Sequence, residues 1–187
     1  MRRLGTGRWR LTVVLALAGA LALAVRVTGI DAHSLWFDEA LEWQRARLPL
    51  AELLRGRSID QDPPLYALAL RAWMLLGDGE TWLRLPAALA GAASCVVGGG
   101  WAWRRLGARE GAVTALLMAL APMLVYYGQE VNQYALLVLC TTIAFVLFER
   151  AGDRGRASDW AAYAGVCVVA LATHYGAVFP VVAFGLA

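Results

Sequence analysis

No lysine occurs in the 187 residues, and all 17 basic side chains are arginines. Charge of either sign is scarce at 17%, against 60% hydrophobic residues, where a soluble domain carries roughly a quarter and a half. Too few polar side chains remain to face water around a globule of this size. The net charge of +3 is small and scattered, which excludes a nucleic-acid footprint. The apolar content excludes a disordered chain, and 19 Gly and 6 Pro without a period exclude a collagen-like one. Three cysteines, Cys95, Cys140 and Cys167, each lie inside an apolar stretch. Their odd number and spacing exclude a disulfide framework and a thiolate metal site. What is abundant is Ala, Leu and Val in long runs, the mark of an integral membrane protein of all-α class: a polytopic helical bundle.

Four stretches are long enough to cross a bilayer: 9–30, 83–103, 110–127 and 133–150. A fifth, 159–175, is shorter, and 176–187 begins a sixth that ends without a cap or polar tail, so the chain reads as the N-terminal part of a longer one. Arg2, Arg3, Arg8 and Arg10 precede the first stretch, and Ala22-Leu23-Ala24 resembles a signal-peptidase site. A cleaved signal peptide is one reading. The apolar run continues past it to Ile30, broken only by Arg26, which favours an uncleaved signal anchor with its N-terminus cytoplasmic. With that parity Arg104, Arg105 and Arg109, and then Arg150, Arg154 and Arg156, fall on the cytoplasmic side.

The same parity places 31–82 outside, in a loop that holds nine of the fourteen acids. Its apolar stretch from Pro64 to Gly77 is too short to cross and predicts an interfacial helix, capped by Asp62, with Pro63 and Pro64 in its first turn and Arg71 toward the headgroups. A second interfacial helix is expected over 35–47, with Trp36, Ala40 and Trp43 on one face, and a third from Pro49 to Arg55. Gly98-Gly99-Gly100 reads as a packing seam for a neighbouring helix.

Four constellations can carry chemistry. Asp38 and Glu39 are adjacent, so on a helix they point about 100° apart and cannot flank one bond. One as base with the other holding a cation or an Arg is easier to build; an acidic first helical turn is the structural alternative. Asp60, Asp62 and Tyr66 form the second group, where capping accounts for Asp62 but not for Asp60. The third is the turn carrying Tyr126, Tyr127, Gln129, Glu130, Asn132, Gln133 and Tyr134, in which Glu130 lies close to the membrane and needs a partner. The fourth is His174 with Tyr175. All four fall on the outer side, and together they offer a carboxylate base, donors for sugar hydroxyls and aromatic platforms. Asp60, Asp62 and His174 are the candidate ligands for a divalent cation, and no other cofactor is indicated.

The series SLWFDEA (34–40), DQDPPLYALALRAW (60–73), ETWLRLPAALAG (80–91), APMLVYYGQEVNQYALL (121–137) and ATHYG (172–176) resembles the glycosyltransferase family 39-like membrane enzymes. These are related to protein O-mannosyltransferases and lipid A aminoarabinose transferases, and have the GT-C fold. The resemblance implies transfer of a sugar from a polyprenyl-phosphate donor, with inversion, to an acceptor hydroxyl of a cell-envelope glycan, lipid or protein on the extracytoplasmic face of the plasma membrane. It marks Asp38 as the catalytic base. It marks Glu39, Asp60, Asp62, Tyr66, Gln129, Glu130, Tyr134, His174 and Tyr175 as substrate-binding. Two positions depart from the pattern: many relatives have His where this chain has Asp62, and Arg where it has Asn132. An Arg there suits the leaving phosphate; its absence leaves that role to Arg71, to Arg84 or to a group from a C-terminal part beyond residue 187. The alternatives are a transporter or flippase subunit and a non-catalytic membrane scaffold. Transporters place ionisable residues near the bilayer midplane, whereas these sit at span ends and in one loop.

Overall fold

The structure, a computed structural model, describes residues 5–55 and 62–186. Among the described residues every regular element is helical. They are α1 (Gly5–Val27), α2 (Phe37–Arg47), α3 (Leu50–Leu54), α4 (Leu65–Trp73), α5 (Glu80–Arg105), α6 (Ala108–Leu120), α7 (Pro122–Tyr126), α8 (Tyr134–Arg154), α9 (Ala157–Thr173), a 3-10 turn (Tyr175–Ala177) and α10 (Val178–Gly185). Three are long and apolar enough to cross a membrane: Trp9–Val27, Glu80–Arg105 and Tyr134–Arg154. The protein is an all-α membrane bundle.

Helix α5 is the central post, packed against α1, α6 and α8, while α9 packs on α8. Its glycines form the seam read from the sequence. A Cβ on Gly98 would lie 2.6 Å from Met118 Sδ, and one on Gly99 would lie 2.6 Å from Ala115 Cβ. At the end of the bundle away from α2, Arg105 pairs with Glu149 and Asp153, and Arg150 with Asp159, closing the ends of α5, α8 and α9 together.

The stretch expected as one run over 110–127 is two helices. Ala121 adopts φ −58°, ψ 120° ahead of Pro122, which opens α7. A residue before proline is driven out of the helical region, and proline brings no N–H to continue the ladder.

The loop helices depart from expectation in three ways. Helix α2 does not keep Trp36, Ala40 and Trp43 together at the interface: Trp43 packs against the core of Ala46, Tyr66 and Leu70, Trp36 is 45% exposed, and the face the helix buries carries Glu39, Glu42, Arg45 and Ala46. The ionic face is drawn in because the bundle offers it a buried arginine partner, described below. Helix α4 begins at Leu65 with Pro64 at its N-cap, and Asp62 does not cap it; its carboxylate is taken by Gln133 instead. Arg71 is exposed, but its Nη1 donates to the carbonyls of Leu48 (2.7 Å) and Ala46 (3.4 Å), acceptors that the C-terminal end of α2 leaves over. The α4–α5 corner is braced by Trp73 stacked on Trp82 at 4.6 Å, each indole donating to the other's carbonyl. Leu75 and Leu76, 84% and 73% exposed at that corner, present an apolar tip suited to lipid.

Candidate active site

The adjacent acids at the start of α2 do separate. Glu39 is 1% exposed. Its Oε1 accepts from Arg84 Nε (2.7 Å) and from the Val131 backbone N–H (2.8 Å), and its Oε2 from Arg84 Nη2 (2.6 Å) and, at 3.3 Å, from the Trp36 N–H. Arg84 spends its third nitrogen on the carbonyls of Ile30 (2.6 Å) and His33 (2.9 Å). Every nitrogen of that guanidinium is thus engaged within the protein. One ion pair ties α2, the 28–33 turn, α5 and the 128–133 segment into a single block.

Asp38, one step round the helix, is exposed and lines a polar cavity of about 280 Å³ with Leu41, Glu42, Asp62, Asn132, Gln133 and Tyr134. Asp62 Oδ2 accepts from Gln133 Nε2 at 2.6 Å, and Asp62 Oδ1 stands 3.9 Å from His174 Nε2. His174 Nδ1 accepts from the Gly176 N–H at 2.8 Å, so the ring proton of the neutral imidazole sits on Nε2, facing Asp62. Arg45 supports the same corner by donating to the carbonyls of Asp62 and Pro63.

A second cavity of about 360 Å³ lies on the other side of the 128–133 segment, lined among others by Trp36, Glu39, Arg84, Tyr126, Gln129 and Glu130. Glu130 is 7% exposed and its Oε2 has no hydrogen-bond partner. Burial pushes its carboxyl above the usual range, and the nearby Glu39 and Asp38 add to this; a hydrogen bond with Tyr126 and the Arg84 charge work the other way. An aromatic chain joins the two cavities: Tyr126 to Tyr127 (5.3 Å), Tyr127 to Tyr134 (4.7 Å) and Tyr134 to His174 (5.3 Å).

The structure therefore brings Asp38, Asp62 and Tyr134 to one cavity, with His174 behind Asp62 and Tyr134 and outside its lining, and Glu39, Gln129 and Glu130 to its neighbour. Tyr66 is buried beneath them in the apolar core with Leu70, Leu83 and Val131, where burial and the nearby acids push its phenol up. Tyr175 is 62% exposed on the 3-10 turn, outside both cavities. Asp60 lies outside the described residues. Among the described residues no group of three or more His, Cys, Asp or Glu is arranged to hold a metal ion. Sequence reasoning missed Glu42 and Arg45. The spacing of Glu39, Glu42 and Arg45, one helical turn apart each, was the signal that they share a face.

A family model described as dolichyl-phosphate-mannose-protein mannosyltransferase matches residues 61–186. The chain belongs to this family. Membership makes it a membrane glycosyltransferase of the GT-C type. No curated protein and no solved structure matches the chain. The matched stretch of this mannosyltransferase-family chain opens just before Asp62 and runs through α10, so Asp38 and Glu39 precede it. They are joined to it physically, through Arg84 and the Val131 N–H.

Proposed function

We propose that this protein moves a sugar from a polyprenyl-phosphate-linked donor to an acceptor hydroxyl on the extracytoplasmic face, with Asp38 as the base. The observation that carries the reading is the division of labour within the acidic pair: Glu39 is spent on Arg84 and Val131, while Asp38 stands at a polar cavity. Asp38 would take the acceptor's proton as its oxygen attacks the anomeric carbon. The bond from that carbon to the phosphate oxygen breaks, and the leaving polyprenyl phosphate keeps the electron pair. A single displacement of this kind inverts the anomeric centre. Asp62, Gln133 and Tyr134 offer hydrogen-bonding groups for sugar hydroxyls around the same space, with His174 behind Asp62.

Neither arginine named for the phosphate is held ready for it. Arg84 is saturated by Glu39, Ile30 and His33, and Arg71 is turned to the end of α2. In this reading both are architectural, and no arginine lines the Asp38 cavity among the described residues.

The test is transfer from a labelled polyprenyl-phosphate sugar by membranes carrying the Asp38→Asn variant. Loss of a positioned general base costs about 100-fold or more. An Asp38→Asn protein that inserts normally and transfers at the wild-type rate ends the assignment.

A further inference from the structure

Arg26 interrupts the last turn of the first span, between Val25 and Val27, and is fully buried. A guanidinium in that position is costly unless its donors are met. Nη1 donates to the carbonyls of Ala22 (2.9 Å) and Ala119 (3.2 Å), and Nη2 to that of Met118 (3.3 Å). Met118 and Ala119 belong to the final turn of α6. The donor that would continue the ladder to Met118 is residue 122, a proline without an N–H. The break at Ala121 leaves that carbonyl over, and Arg26 supplies what Pro122 removes.

Two glycines make room for this side chain. A Cβ on Gly91 would fall 2.4 Å from Arg26 Nε, and one on Gly128 would fall 2.7 Å from both Cδ and Nε. Neither glycine has a positive φ, so each is small on account of the arginine and not of a turn. Gly128 opens the segment that forms the wall between the two cavities. The next residue, Gln129, donates back to the carbonyls of Val25 (3.4 Å) and Thr28 (3.0 Å), on either side of Arg26. Two residues further on, the Val131 N–H reaches Glu39.

We infer that Arg26 is a positioning residue: by capping the proline-broken end of α6 it sets where α7 and the 128–131 segment emerge, and so places Glu130 and the Val131 bond to Glu39. The kinetic consequence rests on the glycosyl-transfer reading above; the lock itself rests on geometry. Two readouts separate them. Hydrogen exchange of the amides of Gly128, Gln129, Val131 and Asn132, all hydrogen-bonded here, reports the lock without any substrate. Steady-state transfer reports its use.

In the intact protein, Arg26→Gln and Gly91→Ala should both speed exchange of these four amides about tenfold or more, with α9 unchanged. Both should lower kcat by about 10- to 100-fold while leaving KM for the donor within about threefold, since the reacting groups are displaced and not removed. Gly91→Ala keeps the cation and moves it, so the question stays decidable if Arg26→Gln fails to insert. Unchanged exchange in a folded variant overturns the inference, as does faster exchange with a wild-type kcat. A wild-type protein that transfers no sugar sinks the proposed function instead, and the exchange rates alone then decide the lock.

Discussion

Arg84 meets Glu39 through two parallel hydrogen bonds, Nε to Oε1 at 2.7 Å and Nη2 to Oε2 at 2.6 Å, with side-chain exposures of 5% and 1%. The fork-to-fork contact is the link between α2 and the bundle. Removing one partner strands the other as a buried, unpaired group, a loss of about 3–5 kcal/mol. Glu39→Gln and Arg84→Met are each expected to lower the apparent Tm in detergent by roughly 10 °C. Arg84→Lys should not rescue, because an ammonium cannot fill the fork and reach Ile30 and His33 as well. Thermal melts of the single and double variants check this, and additive losses would show that the pair is not a unit.

Glu130 gives the stability of the protein a pH dependence whose sign follows from its surroundings. Its folded pKa lies above the ordinary glutamate value, with burial as the largest cause; Glu39 and Asp38 raise it further, and Tyr126 and Arg84 oppose. Between the unfolded and folded values the native state binds more protons than the unfolded one, so stability falls as pH rises through that window. The contribution is fully present below the unfolded value and lost above the folded one. Glu130→Gln should flatten this limb and melt higher than wild type at neutral pH. Melting curves from acid to neutral pH that superimpose for the two proteins would refute it.

The bundle was legible because apolar length is a strong signal and arginine clusters recur at one parity. The orientation of α2 was not. Hydrophobicity alone groups Trp36 with Trp43 on one face, and only knowledge that Arg84 waits on α5, 45 residues away, turns Glu39 inward. Asp62 is a similar case: its position before two prolines fits a cap, and its partner Gln133 lies 71 residues on. The break at Pro122 was visible as a proline within an apolar run, but its consequence depends on Arg26 being placed to take the carbonyls. Long-range polar pairing, and not helix content, is what the local pattern leaves out.

Two glycine substitutions should act in opposite directions. Gly99→Ala drives a Cβ to 2.6 Å from Ala115 Cβ, against another helix that cannot give way cheaply; overpacking there costs about 1–3 kcal/mol. Gly152→Ala, in α8, meets nothing within 4 Å and gains up to about 1 kcal/mol of helix propensity. Apparent Tm should fall for the first and rise for the second. Equal shifts would mean that the α5–α6 seam is looser than the geometry shows.

Orientation decides whether lipid-linked sugars on the extracytoplasmic side can reach Asp38 at all. Arg105, Arg150 and Arg154 gather at the end of the bundle opposite α2, and arginine-rich ends stay cytoplasmic. Asp78, between α4 and α5, and Gly152, near the end of α8, are exposed at the two opposite ends. With the three buried native cysteines replaced, a membrane-impermeant maleimide applied to intact cells should label an Asp78→Cys protein directly. It should label a Gly152→Cys protein only after permeabilisation. The reverse pattern would put the acidic cavity in the cytoplasm, where the proposed donor chemistry has no place. Because each site is the other's control, general leakiness labels both and cannot imitate either answer.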